Sequence, residues 1–246
     1  MPNAFNIRPR PYIIAHRGSM DRCPENTLAA FRQAFEDGAD VLETDVRMTA
    51  DGVLVCIHDP TVDRTTNGTG RVEELLLEQI RSLDASGGDR RYAGEQIPTL
   101  AEVAGYIGED RALALELKSR NFLQEHAHRE LLRVLGEAGI LRRTIILSFS
   151  VRHLTIIRRL APELALGLVS FRHIVPPPGP AFLGPAPTIL SLNPWYVKAA
   201  QGRGQLVCPL DPRPEPRLRR YLRMGCDALL TNDPRKTIGA LQALRG

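Results

Sequence analysis

Short apolar runs and longer amphipathic runs alternate along most of this chain. Residues 12–15, 41–47, 112–117, 144–147, 164–169, 188–192, 205–210 and 228–231 are short and rich in aliphatic side chains, the pattern of strands buried on both faces. Between them, apolar positions recur at helical spacing. Leu28, Phe31, Ala34 and Phe35 predict a helix over 27–37, with Asn26 or Thr27 as its N-cap and Gly38 as its stop. Comparable helices are predicted over 100–107, 123–138, 151–160, 195–201, 215–224 and 234–244. Eight strand–helix units in 246 residues predict an α/β fold of the (β/α)8 TIM-barrel class. A doubly wound open sheet is the competing architecture, but the glycine-rich dinucleotide loop that often follows its first strand is absent here.

Two stretches break the alternation. Asp51-Gly52 signals a turn into a further strand over 53–57, and residues 60–98 then form a polar, glycine-containing segment with a short helix over 72–82. This is read as a small insertion after the second strand. Pro176-Pro177-Pro178-Gly179-Pro180 reads as a stiff connector, with Phe182 and Leu183 as the alternative lining of a rim wall.

The strand ends carry the chemistry. Glu43 and Asp45 are two apart on one strand, so both carboxylates face the same side. Burying two unpaired carboxylates is costly, and a hard cation with oxygen ligands would relieve the conflict; salt bridges to arginines would do so as well. Glu116 and Lys118 repeat the geometry on another strand. His16 and His58 close two further strands, where imidazoles can act as acid and base near neutral pH. Arg17 beside His16 has the donor fork that holds a phosphate, and Gly18 permits a tight turn. His126, His128, His153 and His173 lie away from these strand ends and read as structural.

Composition adds few constraints. The net charge is +4, carried almost wholly by arginine, with lysine only at Lys118, Lys198 and Lys236. No dense basic block with interleaved aromatics points to nucleic acid. Cys23, Cys56, Cys208 and Cys226 show neither zinc spacing nor a C-x-x-C pair. No run approaches the ~20 apolar residues of a membrane span, and the first ten residues lack a leader's apolar core, so a cytoplasmic protein without stable membrane insertion is expected.

Taken in order, these residues resemble the glycerophosphodiester phosphodiesterase family. The matches are His16-Arg17-Gly18, Pro24-Glu25-Asn26-Thr27, Glu43-Thr44-Asp45-Val46, Asp51-Gly52, His58-Asp59, Ile97-Pro98-Thr99-Leu100, Glu116-Leu117-Lys118 and Thr231-Asn232-Asp233-Pro234. The resemblance implies a single TIM-barrel domain over 11–244, insertion included. It implies metal-dependent hydrolysis of a small glycerophosphodiester to sn-glycerol 3-phosphate and an alcohol, with a lysophospholipase D-like or other phosphodiesterase reaction as the alternative. It further implies Glu43, Asp45 and Glu116 as ligands of one Mg²⁺ or Ca²⁺, His16 and His58 as the acid–base pair, and Arg17, Lys118 and Glu25 around the phosphate. One position departs from the pattern. The seventh strand of the family usually ends in a tryptophan that lines the pocket, and here Cys208 stands at about that place, with Trp195, Tyr196 or Phe182 as conceivable substitutes.

Overall fold

The computed structural model describes residues 10–244. Its strands are β1 (Tyr12–Ala15), β2 (Val41–Met48), β3 (Leu54–Cys56), β4 (Ala112–Leu117), β5 (Thr144–Ser148), β6 (Ala165–Ser170), β7 (Phe182–Pro185), β8 (Leu206–Val207) and β9 (Ala228–Thr231). The helices are α1 (Leu28–Glu36), α2 (Leu77–Arg81), α3 (Leu100–Tyr106), α4 (Glu125–Glu137), α5 (Val151–Leu160), α6 (Pro187–Leu192), α7 (Tyr196–Gln201), α8 (Leu218–Met224) and α9 (Pro234–Ala243).

Eight strands run parallel in the order β8-β7-β6-β5-β4-β2-β1-β9, and β3 folds back antiparallel on β2. The first and last strands pair from Tyr12–Ala228 to Ala15–Thr231. Between β8 and β9 no extended ladder forms among the described residues; Asp227 fastens this seam instead. Its backbone N–H donates to the Val207 carbonyl at 2.9 Å, and its carboxylate accepts the Val207 N–H at 2.8 Å. The guanidinium of Arg10 pairs with the same carboxylate. The ring is thus a nearly closed TIM barrel.

Period-two alternation sorts the side chains. Tyr12, Ile14, Val41, Ala112, Ala114, Ile145, Leu147, Phe182 and Leu230 fill the lumen, while Ile13, Leu42, Leu113, Leu115 and Leu166 pack outward beneath the helices. Gly167 is a lumen residue of β6, between Ala165 and Val169 on the same face and flanked by bulky neighbours on β5 and β7. A Cβ there would stand 2.4 Å from a methyl of Leu147 and 3.2 Å from Phe182, so only glycine lets both fit.

Several expectations shift in detail, and one is wrong. Residues 188–192, predicted as a strand, lie in helix α6, and the strand of this unit is Phe182–Pro185, within the stretch read as connector or rim wall. Pro187 occupies the first turn of α6, where its missing N–H costs nothing. Phe182 and Leu183 are buried in the barrel wall and line no rim. The helix predicted over 72–82 is split into a 3₁₀ turn (Val72–Glu74) and α2, with Leu75 and Leu76 extended between them. The β6–β7 connection contains no helix. A cavity of about 470 Å³ lies beside α5 there, lined by Leu154, Leu166, Leu168 and Pro177–Pro180, and it holds none of the carboxylates.

The segment over 60–98 packs around its own apolar cluster, in which Val62, Val72, Ile80, Ala85 and Ile97 join Val55 and Ile57. A bridge between Thr61 and Arg71 closes its first loop. Among the described residues no helix is long and apolar enough to cross a membrane.

Candidate active site

The strand register brings the acidic residues together. Asp45 and Glu116 are Cα partners across β2 and β4, and Glu43 lies two residues before Asp45 on the same lumen face. One oxygen from each of Glu43, Asp45 and Glu116 can be chosen so that all three lie within 4.8 Å of one another, and all three residues are buried.

The turn after β1 supplies the opposing charge. Arg17 sits at φ 54° and Gly18 at φ 83°, both left-handed. This conformation directs the Arg17 backbone N–H to Glu43 Oε2 at 2.9 Å, while its side chain reaches Asp45 Oδ2 at 3.0 Å and Glu25 Oε1 at 2.9 Å. Gly18 is also packed against α1, where a Cβ would lie 2.7 Å from Ala30 backbone atoms. Gly18→Ala is therefore expected to destabilise the protein by about 1–3 kcal/mol through overpacking and backbone strain, seen as a fall of several degrees in thermal unfolding.

Asn26, predicted as a possible helix cap, does something else. Thr27 caps α1 by accepting the Ala30 N–H, and Asn26, at φ 56°, turns its amide into the site. Asn26 Nδ2 donates to Asp45 Oδ2 at 3.1 Å, and its Oδ1 accepts the Thr44 hydroxyl at 2.7 Å. Lys118 Nζ lies 3.4 Å from Asp45 Oδ1 and 2.5 Å from Glu116 Oε1.

These contacts leave the cluster incompletely satisfied. Asp45 Oδ1 and Glu116 Oε1 are buried and face Lys118 at ionic distance, but neither accepts a well-aligned hydrogen bond. Burial, then the charges of Asp45 and Glu116, raise the Glu43 carboxyl well above its ordinary pKa of 4.5. Burial likewise raises Glu116, although Lys118 opposes it. Asp45 is pushed up by burial but pulled down further by Lys118 and Arg17, so its net shift is downward. Three clustered carboxylates, two with unmet acceptor capacity, form a donor set suited to a hard divalent cation.

The two histidines are oriented by different partners. His16 Nδ1 lies 2.8 Å from Asn232 Oδ1, and Asn232 Nδ2 donates to Asp21, so the imidazole is the donor in this pair. His58 Nδ1 lies 2.7 Å from Asp59 Oδ1. In both rings Nε2 is left without a partner among the described residues. Burial, then the charge of Arg17, lower the His16 pKa to about 4. Burial also lowers His58, against the opposing charge of Asp45. Arg64 links the insertion to this side of the site, donating to Asp59 at 2.6 Å and to both oxygens of Glu25 at 2.7 and 2.9 Å.

The aromatic beside the charged cluster is Phe149, directly after β5. Lys118 Nζ lies 5.6 Å from its ring centroid, and Phe171, directly after β6, stacks on it at 5.4 Å. The residues weighed as replacements for the absent tryptophan lie elsewhere. Tyr196 is buried, Phe182 and Cys208 pack in the lumen cluster, and Trp195 stands exposed at the start of α7. Asn232, Asp59 and Arg64 had no predicted role either. The first two stand in or beside the quoted motifs, and Arg64 has no signal in one sequence.

A parallel barrel with carboxylates, imidazoles and cations gathered at the C-terminal ends of its strands belongs among the barrel enzymes. The model of the glycerophosphoryl diester phosphodiesterase family matches residues 16–236. A glycerophosphodiester phosphodiesterase of Caldanaerobacter subterraneus subsp. tengcongensis is 38% identical over 239 residues, which cover 94% of this chain and 97% of that relative. Among solved structures, a phosphodiesterase of Oleispira antarctica in complex with the product sn-glycerol-3-phosphate is 29% identical, with a TM-score of 0.85 over 94% of this chain and 97% of that one. The glycerophosphodiester phosphodiesterase of Agrobacterium tumefaciens is 28% identical, with a TM-score of 0.81 over 92% of this chain and 98% of that one. The chain belongs to the glycerophosphoryl diester phosphodiesterase family, a family of phosphoric diester hydrolases.

Proposed function

We propose that this chain, as a single catalytic domain over 11–244, hydrolyses glycerophosphodiesters to sn-glycerol 3-phosphate and an alcohol. The observation that carries this reading is the buried Glu43–Asp45–Glu116 cluster with its unsatisfied oxygens, set beside two cationic side chains and two imidazoles. The product bound to the Oleispira relative supports the choice of substrate.

Glu43, Asp45 and Glu116 would hold one Mg²⁺ or Ca²⁺. Such an ion, when bound, polarises phosphoryl oxygens and offsets their charge. Arg17 and Lys118 face the same region and stabilise the charge that grows on the non-bridging oxygens. Their present partners, Asp45, Glu25 and Glu116, hold them in position. Glu25 acts at one remove, shared between Arg17 and Arg64. His16 and His58 each keep Nδ1 occupied and Nε2 free, so each presents one nitrogen for proton transfer, one ring taking the proton of the nucleophile and the other protonating the leaving oxygen. With His16 lowered to about 4, its ring is neutral at pH 7 and suited to accept a proton.

The test is release of sn-glycerol 3-phosphate from glycerophosphocholine and glycerophosphoethanolamine after EDTA treatment, then with Mg²⁺ or Ca²⁺ restored. Release that disappears with EDTA and returns with the cation is the expected result. Undiminished release in EDTA would remove the metal from the mechanism. A second reading, hydrolysis of lysophospholipids, is favoured by the stacked Phe149–Phe171 pair beside Lys118, and lysophosphatidylcholine in the same assay separates the two.

A further inference from the structure

The half of the barrel without functional carboxylates carries an unusual surface. From Phe149 to Leu210 the chain has six basic residues, Arg152, Arg158, Arg159, Arg172, Lys198 and Arg203, against one acid, Glu163. This excess is larger than the net charge of the whole chain, +4. Among the described residues none of the six forms a salt bridge with a carboxylate.

The exposed large hydrophobic side chains concentrate in the same segment. Phe171 is 64% exposed, Val175 64%, Leu192 70% and Trp195 69%. They are held as one strip. Phe149 stacks on Phe171; the chain continues through Ile174, whose carbonyl accepts Asn193 Nδ2 at 3.0 Å; and Asn193 Oδ1 accepts the Trp195 N–H at 3.0 Å. Cations flank it throughout. Arg172 follows Phe171, Arg203 donates to the Pro176 carbonyl beside Val175, and Lys198 lies 5.7 Å from the Trp195 ring centroid. At its upper end the strip reaches Lys118 of the candidate active site through Phe149.

We infer that this strip docks the enzyme peripherally on an anionic lipid surface, apolar side chains entering the interface and the flanking arginines and lysine facing lipid phosphates. Exposed apolar patches of this extent mark interaction surfaces, and an amphipathic tryptophan beside basic residues suits the boundary between headgroups and acyl chains. Charge selects the occupant. A second copy would bring the same cations against themselves, whereas an anionic bilayer complements them. The inference concerns binding and stands apart from the identity of the substrate.

Trp195 is the only tryptophan in the chain, so its emission reports this surface alone. The enzyme would be titrated with vesicles of phosphatidylcholine, and with vesicles of equal parts phosphatidylcholine and phosphatidylglycerol, while following emission and co-sedimentation. Binding to the anionic vesicles, a blue shift, and quenching by bromine-labelled acyl chains are expected. Lys198→Glu with Arg172→Glu should weaken partitioning by about fivefold or more for each charge removed. Ile174→Ser with Val175→Ser should weaken it too, leaving hydrolysis of soluble glycerophosphocholine unchanged. Absence of binding overturns the inference. So does binding with Trp195 emission unmoved and insensitive to both variant pairs, which would mean diffuse attraction elsewhere. A concentration-dependent blue shift without vesicles, accompanied by dimers in sedimentation, would assign the strip to a second copy and overturn it equally.

Discussion

His16→Ala and His58→Ala are each expected to lower kcat by ~10²-fold or more, the usual scale for losing a positioned acid or base. Neither change should unfold the protein. Both rings lie partly exposed at loop positions, and each donates only one ordered hydrogen bond, to Asn232 or Asp59. Steady-state kinetics on glycerophosphocholine, alongside thermal unfolding, separates loss of chemistry from loss of fold. A variant with near-normal kcat would remove its histidine from the reaction. His16 is the more deeply depressed ring and stays unprotonated well into the acidic range, so the acid limb of a kcat–pH profile should follow protonation of the raised Glu43 and Glu116 and loss of the cation, and should move with cation concentration.

Glu43→Gln should abolish cation-dependent activity, a loss of ~10²-fold or more in kcat/KM, without weakening the cation-free protein. The sign follows from burial. Glu43 and Glu116 have raised pKa values in the folded state, so the fold binds these protons more tightly than the unfolded chain does. Without a cation, stability therefore declines as pH rises from the ordinary glutamate value of 4.5 through the raised values. Asp45 is lowered and affects stability only below this window, where stability is lost as pH falls. A cation requires the ionised carboxylates, so its stabilisation grows with pH over the range where the empty cluster is weakest. At about one hundred times its dissociation constant it contributes about 2.7 kcal/mol, or roughly 5–10 °C in a chain of this size. Thermal shifts with Mg²⁺ and Ca²⁺ across pH should show this rise in the wild type and a flat line in Glu43→Gln. An equal shift in the variant would mean that the ion binds elsewhere.

Much of this was legible from residues alone because period two and strand ends are strong constraints. Glu43 and Asp45 had to share a face once β2 was recognised, and Glu116 became their neighbour once β4 was. The failure over 182–192 has a physical cause. A run of five with three aliphatic side chains, residues 188–192 between Pro187 and Pro194, fits a strand and a short helix equally well, and only the requirement that Phe182 fill the lumen beside Gly167 decides between them. Long-range partners were hidden for another reason. Asn232 meets His16 across 216 positions, and Arg64 meets Glu25 across 39, distances that no periodicity spans. Asn26 was visible as a residue but not as a role, since the same left-handed asparagine serves a turn or a site equally well. Phe149 gave no signal until its ring was found beside Lys118.

The pairing of β1 with β9 gives the molecule an order of assembly. A chain growing from its N-terminus completes Glu43, Asp45 and Glu116 before β5 is made, and the strands that align them are neighbours in the sheet. His16 is made earlier still, yet its backbone and ring wait for Thr231 and Asn232, on and just after the last strand of the barrel. An unfinished barrel can therefore gather its carboxylates while its first imidazole remains unaimed. Under the proposed roles, turnover certifies a closed barrel: the enzyme is switched on by the strand that seals its ring.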